Sequence, residues 1–209
     1  FKDWGAWNLM SECIAKAGLC FIKFNFSHNG GTMENPIDFP DLEAFGNNNY
    51  TTELEDLTDV MDWVENNFNN NLYVNTTQIC LIGHSRGGGI ALLKASEDKR
   101  ITKLITLASV SDFGRRTATI SDLKEWKAEG VKYVLNGRTK QQMPHNYQFY
   151  EDFKMNEQRL HIETAVKQIR VPVLIIHAKN DPSVSFEEAE ALHSWTIRRK
   201  LLVMYLIYI

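Results

Sequence analysis

The chain has 209 residues, enough for one domain with a large core. Its 23 Lys and Arg nearly balance 26 Asp and Glu, for a net charge of -3, which argues against strong attraction to nucleic acid or to an anionic membrane. Three cysteines, Cys13, Cys20 and Cys80, are an odd count in apolar surroundings, which argues against a disulfide framework. Buried free thiols in a reducing, cytoplasmic setting are expected instead. Cys13 and Cys20 lack a second ligand pair, so no metal site is expected. Phe1 opens no signal peptide, and no run reaches the ~18 apolar residues of a membrane span. The sequons at Asn25, Asn49 and Asn75 are read as chance matches in an asparagine-rich chain.

In chain order, Trp4 to Ala17 repeats apolar residues at helical spacing (Trp7, Met10, Ile14, Ala17), and Gly18 supplies the stop. Leu19 to Phe26 reads as a buried strand, and Asn29-Gly30-Gly31-Thr32 as a turn. Residues 33–49, with Pro36, Pro40 and several asparagines, read as a long surface loop. Tyr50 to Asn67 predicts an amphipathic helix with Leu54, Leu57, Met61 and Val64 on one face. Gln78 to Ile82 predicts a strand buried on both faces, and Gly89 to Ser96 a helix with an apolar stripe. Strands follow at Lys103–Ala108 and Val171–Ala178, the latter started by Pro172, then a helix at Glu187–Trp195 and a final strand at Leu201–Ile209. Strands alternating with helices predict an α/β fold with a doubly wound, mainly parallel sheet. Between Ser111 and Gln168 the chain turns polar, helix-prone and aromatic (Trp126, Tyr133, Tyr147, Phe149, Tyr150, Phe153). Ordinary crossover loops run about two to six residues. Residues 111–168 are therefore expected to form a helical cap inserted over the carboxyl ends of the strands, where open α/β sheets bind ligands. A crossover with extra helices whose aromatics merely pack is the alternative.

The most informative stretch is Leu81-Ile82-Gly83-His84-Ser85-Arg86-Gly87-Gly88. It sets a serine in a G-x-S-x-G motif between a strand and a helix. A serine hydroxyl is a poor nucleophile until the fold exposes it and a base takes its proton. A sharp strand–turn–helix elbow exposes it, with small residues, here Gly83 and Gly87, two positions before and after. A glycine-rich turn that happens to carry a serine would lack the later residues that also fit. Nucleotide binding is set aside, because this turn has no G-x-G-x-x-G and the chain has no G-K-[ST].

These residues, with Val171-Pro172-Val173-Leu174-Ile175-Ile176-His177 and Asn180-Asp181-Pro182-Ser183-Val184, resemble the α/β-hydrolase superfamily. The likeness is to bacterial serine hydrolases of the dienelactone hydrolase and serine aminopeptidase (prolyl oligopeptidase-like) type, over nearly the whole chain. It implies helices on both faces of the sheet and a catalytic triad in the order Ser, Asp, His.

On this reading Ser85 attacks an acyl carbon, and the backbone N–H of Arg86, at a helix N-terminus, is one oxyanion donor. Asp181, in the turn after Val173–Ala178, is the acid that orients a histidine. Read alone, Asp181 could be only a turn residue. His84 occupies the variable position of the elbow. None of the six histidines fits the base well: His84 points away from the attack site, His177 lies in a strand, His193 in a helix, His145 and His161 in the cap stretch, and His28 in a loop. The resemblance implies a histidine following the last strand, beyond Ile209, and a second oxyanion donor before Phe1. A fragment of a longer serine hydrolase is therefore expected, acting on an ester, thioester or amide of a small-molecule or peptide acyl substrate, without cofactor or metal. A non-catalytic binding or scaffold protein on the same fold is the reading from another class.

Overall fold

In the computed structural model, which describes residues 2–36, 38–118 and 123–204, the chain divides into two units. One comprises Phe1–Val74 and Ser121–Lys154, the other Asn75–Ile120 and Met155–Ile209. The elements run α1 (Trp7–Lys16), α2 (Leu42–Gly46), α3 (Tyr50–Phe68), β1 (Ile79–His84), α4 (Arg86–Glu97), β2 (Ile101–Leu107), α5 (Phe113–Ala118) and α6 (Leu123–Glu129). They continue with β3 (Val131–Leu135), β4 (Gln142–Asn146), α7 (Gln148–Met155), α8 (Ile162–Gln168), β5 (Val173–Ala178), α9 (Phe186–Trp195) and β6 (Arg199–Met204).

In the first unit, α3 starts where the Asn49 side chain accepts the Thr52 N–H at 2.8 Å. Its apolar stripe buries Leu54, Leu57 and Met61, as the periodicity predicts, while Tyr50 packs its ring against Phe149 at 4.8 Å. Gly18 ends α1 just beyond its last turn, with φ +80°. Two expectations fail here. Leu19–Phe26 forms no strand: it runs without regular structure and with none of its residues buried, and it has no ladder partner among the described residues. Apolar composition permits a strand, but only a neighbouring strand makes one. The loop expected over 33–49 contains α2, capped by Asp41, whose side chain accepts the Ala44 N–H at 2.8 Å.

The stretch expected to be a helical cap is mixed. It holds the antiparallel hairpin β3–β4, paired from Val131↔Asn146 to Leu135↔Gln142 around a loop containing Asn136-Gly137. Period-2 patterning is weak there because Tyr133, Val134 and Leu135 are all exposed. Its aromatics pack in their own unit: Trp126 is buried, donates its indole N–H to the His145 carbonyl at 2.6 Å, and meets Tyr147 edge-on. Residues from Met155 onward, including α8, belong to the second unit.

The second unit holds a four-stranded parallel sheet in the order β1-β2-β5-β6. α8 packs against both α4 and α9, α4 packs on β1 and β2, and α9 packs on β5 and β6. Ile90, Leu92 and Leu93 of α4 are fully buried there, with Val173 and Ile175 of β5. β1 is less buried than the sequence predicts: Gly83 alone is buried and Cys80 is exposed. Among the described residues β1 pairs only with β2, so it forms an edge of this sheet. All three cysteines are free and exposed, against the expected burial, because α1 buries none of its residues and Cys20 lies in the unpaired 19–26 stretch. The final strand is described as far as Met204; Tyr205–Ile209 fall outside the described residues. Among the described residues no helix is long and apolar enough to cross a membrane.

Leu92, with no exposed surface, anchors α4 to the sheet unit. Leu92→Ala is expected to lower the unfolding free energy by about 2–5 kcal/mol, read from urea denaturation.

Candidate active site

Ser85 alone makes the turn between β1 and α4, with φ 52° and ψ −121°. For a residue with a Cβ this conformation costs on the order of 1–3 kcal/mol and persists only where the surroundings enforce it. The enforcement is visible. The Ser85 N–H donates to the Leu107 carbonyl at 2.9 Å, carrying the parallel pairing one residue past β1. The Ser85 carbonyl accepts from the Gly88 N–H at 3.0 Å and the Val110 N–H at 3.2 Å. The Ser85 Oγ is half-buried and has no hydrogen-bond partner among the described residues.

Close packing explains the glycines, though not both of the expected ones. A Cβ on Gly83 would lie 2.4 Å from the Gly87 carbonyl oxygen and 2.7 Å from the Gly88 Cα, both backbone atoms that cannot step aside. A Cβ on Gly87 would meet nothing within 4 Å. The second crowded position is Gly88, where a Cβ would sit 2.4 Å from the Ser109 Oγ and 2.5 Å from its Cβ. The run of three glycines after Arg86 holds that signal, but only the packing shows that Gly88, against Ser109, and Gly89, against Phe113, are crowded and Gly87 is not.

Arg86 is the first residue of α4, so its N–H lies in the first turn, where helix N–H groups lack intrahelical acceptors and the dipole favours negative charge. Asp181 follows β5. Because β1, β2 and β5 are parallel, the segments after their carboxyl ends share one sheet edge, and Ser85 and Asp181 both lie there. β2 stands between their strands, a separation of two strand spacings, roughly 10 Å. The Asp181 Oδ1 accepts the Ser183 and Val184 N–H groups at 2.8 and 2.9 Å, while Oδ2 has no hydrogen bond among the described residues. Burial pushes the Asp181 carboxyl up, but those two N–H groups, with His177 and His84, outweigh it and hold it below the usual carboxylate range.

Four of the histidines have other contacts, and His193 lies in the last turn of α9. His84 is electrostatically coupled to Asp181, yet desolvation pushes its pKa below the usual imidazole value against the pull of that carboxylate. His177, 1 % exposed, bonds through Nε2 to the Val184 carbonyl at 2.8 Å. His161 caps α8, accepting the Thr164 N–H at 3.3 Å. His28 bonds the Ser27 hydroxyl, and the His145 ring packs edge-on to Phe45.

The BD-FAE family matches residues 40–196, three quarters of the chain and the whole interval from the loop before α2 to the end of α9. The chain belongs to the BD-FAE family. No curated protein matches its sequence. Among solved structures, this BD-FAE chain is similar to Est1E from Butyrivibrio proteoclasticus, at 22 % identity, 76 % of this chain, 61 % of that one and TM-score 0.58. A protein of Agrobacterium vitis S4 described as a hydrolase superposes at TM-score 0.72, with 19 % identity over 97 % of this chain and 74 % of that one. A monoacylglycerol lipase of Paleococcus ferrophilus gives TM-score 0.55, with 12 % identity over 77 % and 66 %. These likenesses establish an α/β-hydrolase fold. The BD-FAE chain spans about six tenths of the length of Est1E.

Two outcomes follow from this geometry. Gly83→Ala and Gly88→Ala are expected to lower Tm markedly and Gly87→Ala to leave it nearly unchanged, in a thermal melt. The depressed Asp181 pKa stabilises the fold above the unfolded carboxylate value, about 3.9, and that contribution is lost as pH falls from there through the folded value. Asp181→Asn should therefore flatten the fall in stability below about pH 4, measured by urea titration.

Proposed function

We propose that this chain is the core of a serine hydrolase that cleaves a carboxylic ester through an acyl-Ser85 intermediate. The observation that carries the reading is the Ser85 backbone at φ 52° and ψ −121°, in a turn between a parallel strand and a helix. A binding or scaffold role has no use for a strained serine with an uncommitted hydroxyl. A nucleophile has, because the turn lifts Oγ off the sheet edge into reach of a substrate.

The proposed steps are ordinary acyl transfer. The Ser85 Oγ attacks the acyl carbon while an imidazole removes its proton. The Arg86 N–H receives the oxyanion of the tetrahedral intermediate. Collapse releases the alcohol, which takes the proton back from the imidazole, and water then hydrolyses acyl-Ser85 by the same route. Asp181, ionised at neutral pH and with Oδ2 open, orients the imidazole and stabilises its charged form. The imidazole is proposed to act at the carboxyl edge of the parallel sheet that Ser85 and Asp181 share. An ester is favoured over an amide because a similar structure is that of a monoacylglycerol lipase, whose scissile bond is an ester.

The full-length protein should hydrolyse p-nitrophenyl esters faster than the matching p-nitroanilides. A fluorophosphonate probe should label Ser85, as located by peptide mass spectrometry. Ser85→Ala is expected to abolish labelling and to lower turnover on the order of 10⁶-fold. Labelling that survives the substitution would refute the assignment.

A further inference from the structure

The elbow is braced from a place the triad logic does not reach. Ala108 to Ser111, the loop after β2, carries another strained residue, Ala108 at φ 44°, and Ser109, Val110 and Ser111 are all buried. Buried N–H groups must find acceptors. Val110 finds the Ser85 carbonyl at 3.2 Å. Ser111 finds the Glu188 Oε2 at 2.6 Å. Glu188 sits in the first turn of α9, is only 8 % exposed, and binds Arg116 of α5 at 2.5 Å through its other oxygen. The carboxylate thus fixes the peptide next to the one that grips Ser85, and it does so from the helix that follows the Asp181 loop.

We propose that Glu188 is a positioning residue for the nucleophile, acting through Ser111 and Val110 on the Ser85 carbonyl. This rests on the acyl-serine reading above. Without the Glu188 acceptor the buried Ser111 N–H has to turn toward another partner. The 108–111 loop then shifts, and the Ser85 backbone loses one of the two donors on its carbonyl. Oγ leaves its attack geometry, whereas the buried Glu188, Ser111 and Val110 offer a substrate almost no surface to bind. The effect therefore falls on kcat and spares KM.

The test uses the full-length protein with a p-nitrophenyl ester, below the Tm of each variant. Glu188→Ala should lower kcat on the order of 10²-fold with KM nearly constant, and should slow fluorophosphonate labelling of Ser85 in parallel. Glu188→Gln, whose amide oxygen still accepts the Ser111 N–H, should recover most of that loss. Should Glu188→Ala fail to fold, Glu188→Asp, one methylene too short to reach Ser111, is expected to show the same kcat loss at constant KM. Arg116→Met, which removes the ion pair and spares the Ser111 bond, should lower Tm more than kcat. An unchanged kcat in a folded Glu188→Ala or Glu188→Asp variant overturns the role, as does an Arg116→Met variant that reproduces the full kcat loss. Loss of hydrolysis in Ser85→Ala beside an unchanged Glu188 variant overturns the Glu188 role alone. Retained hydrolysis in Ser85→Ala overturns the acyl-serine reading with it.

Discussion

One residue with a strained backbone organises this sheet edge. Ser85 stands at φ 52° because β1 must stop and α4 must begin with nothing between them. The unfavourable conformation is offset by tethers on both sides of its peptide: the Leu107 carbonyl on its N–H, and the Gly88 and Val110 N–H groups on its carbonyl. Each tether depends on a different element. Leu107 requires the β1–β2 register, Gly88 requires α4 to approach β1 without a side chain in the way, and Val110 requires the loop after β2 to be locked in place. The glycines at 83 and 88 are consequences of that demand.

The same edge receives Asp181 because the described strands of the second unit all run in one direction. In a parallel sheet each connection that follows a strand emerges at the carboxyl edge, so residues distant in sequence gather there without any further contrivance. Ser85 follows β1, Ala108 to Ser111 follow β2, and Asp181 follows β5. The Asp181 loop is shaped by its own hydrogen bonds. Its Oδ1 closes on the Ser183 and Val184 N–H groups, and the Val184 carbonyl is taken by the buried His177. Val184 is thus held at both its N–H and its carbonyl, and among the described residues the second Asp181 carboxylate oxygen carries no hydrogen bond.

Much of this was legible in the sequence wherever a feature is local. Gly83-His84-Ser85-Arg86-Gly87 announces an elbow because its geometry depends on residues within a few positions of one another. The 3.6-residue repeat of Leu54, Leu57 and Met61 predicts α3 because one helix face suffices to describe it. The illegible parts are those set by partners far along the chain. Leu19–Phe26 has the composition of a strand and no ladder to join. The hairpin Val131–Asn146 pairs β3, whose Tyr133, Val134 and Leu135 are all exposed, with β4, which buries Met143 and Pro144 side by side, so no alternating pattern betrays it. The aromatics between Trp126 and Phe153 suggest a ligand-facing surface by composition, yet several of them fill the interior of their own unit.

By itself the sequence determined which residue types were available at each turn: a serine flanked by glycines, an aspartate before proline, and strands apolar enough to lie in a sheet. Those are short-range properties, carried by spacing and by the conformations each side chain allows. Tertiary structure alone decided that Gly88 rather than Gly87 is sterically required, that Cys80 faces outward, and that Glu188 reaches Ser111 seventy-seven positions earlier in the chain. Contacts of that kind depend on how strands stack and helices seat, and a linear pattern holds no record of which distant backbone atom will lie within reach of a given side chain.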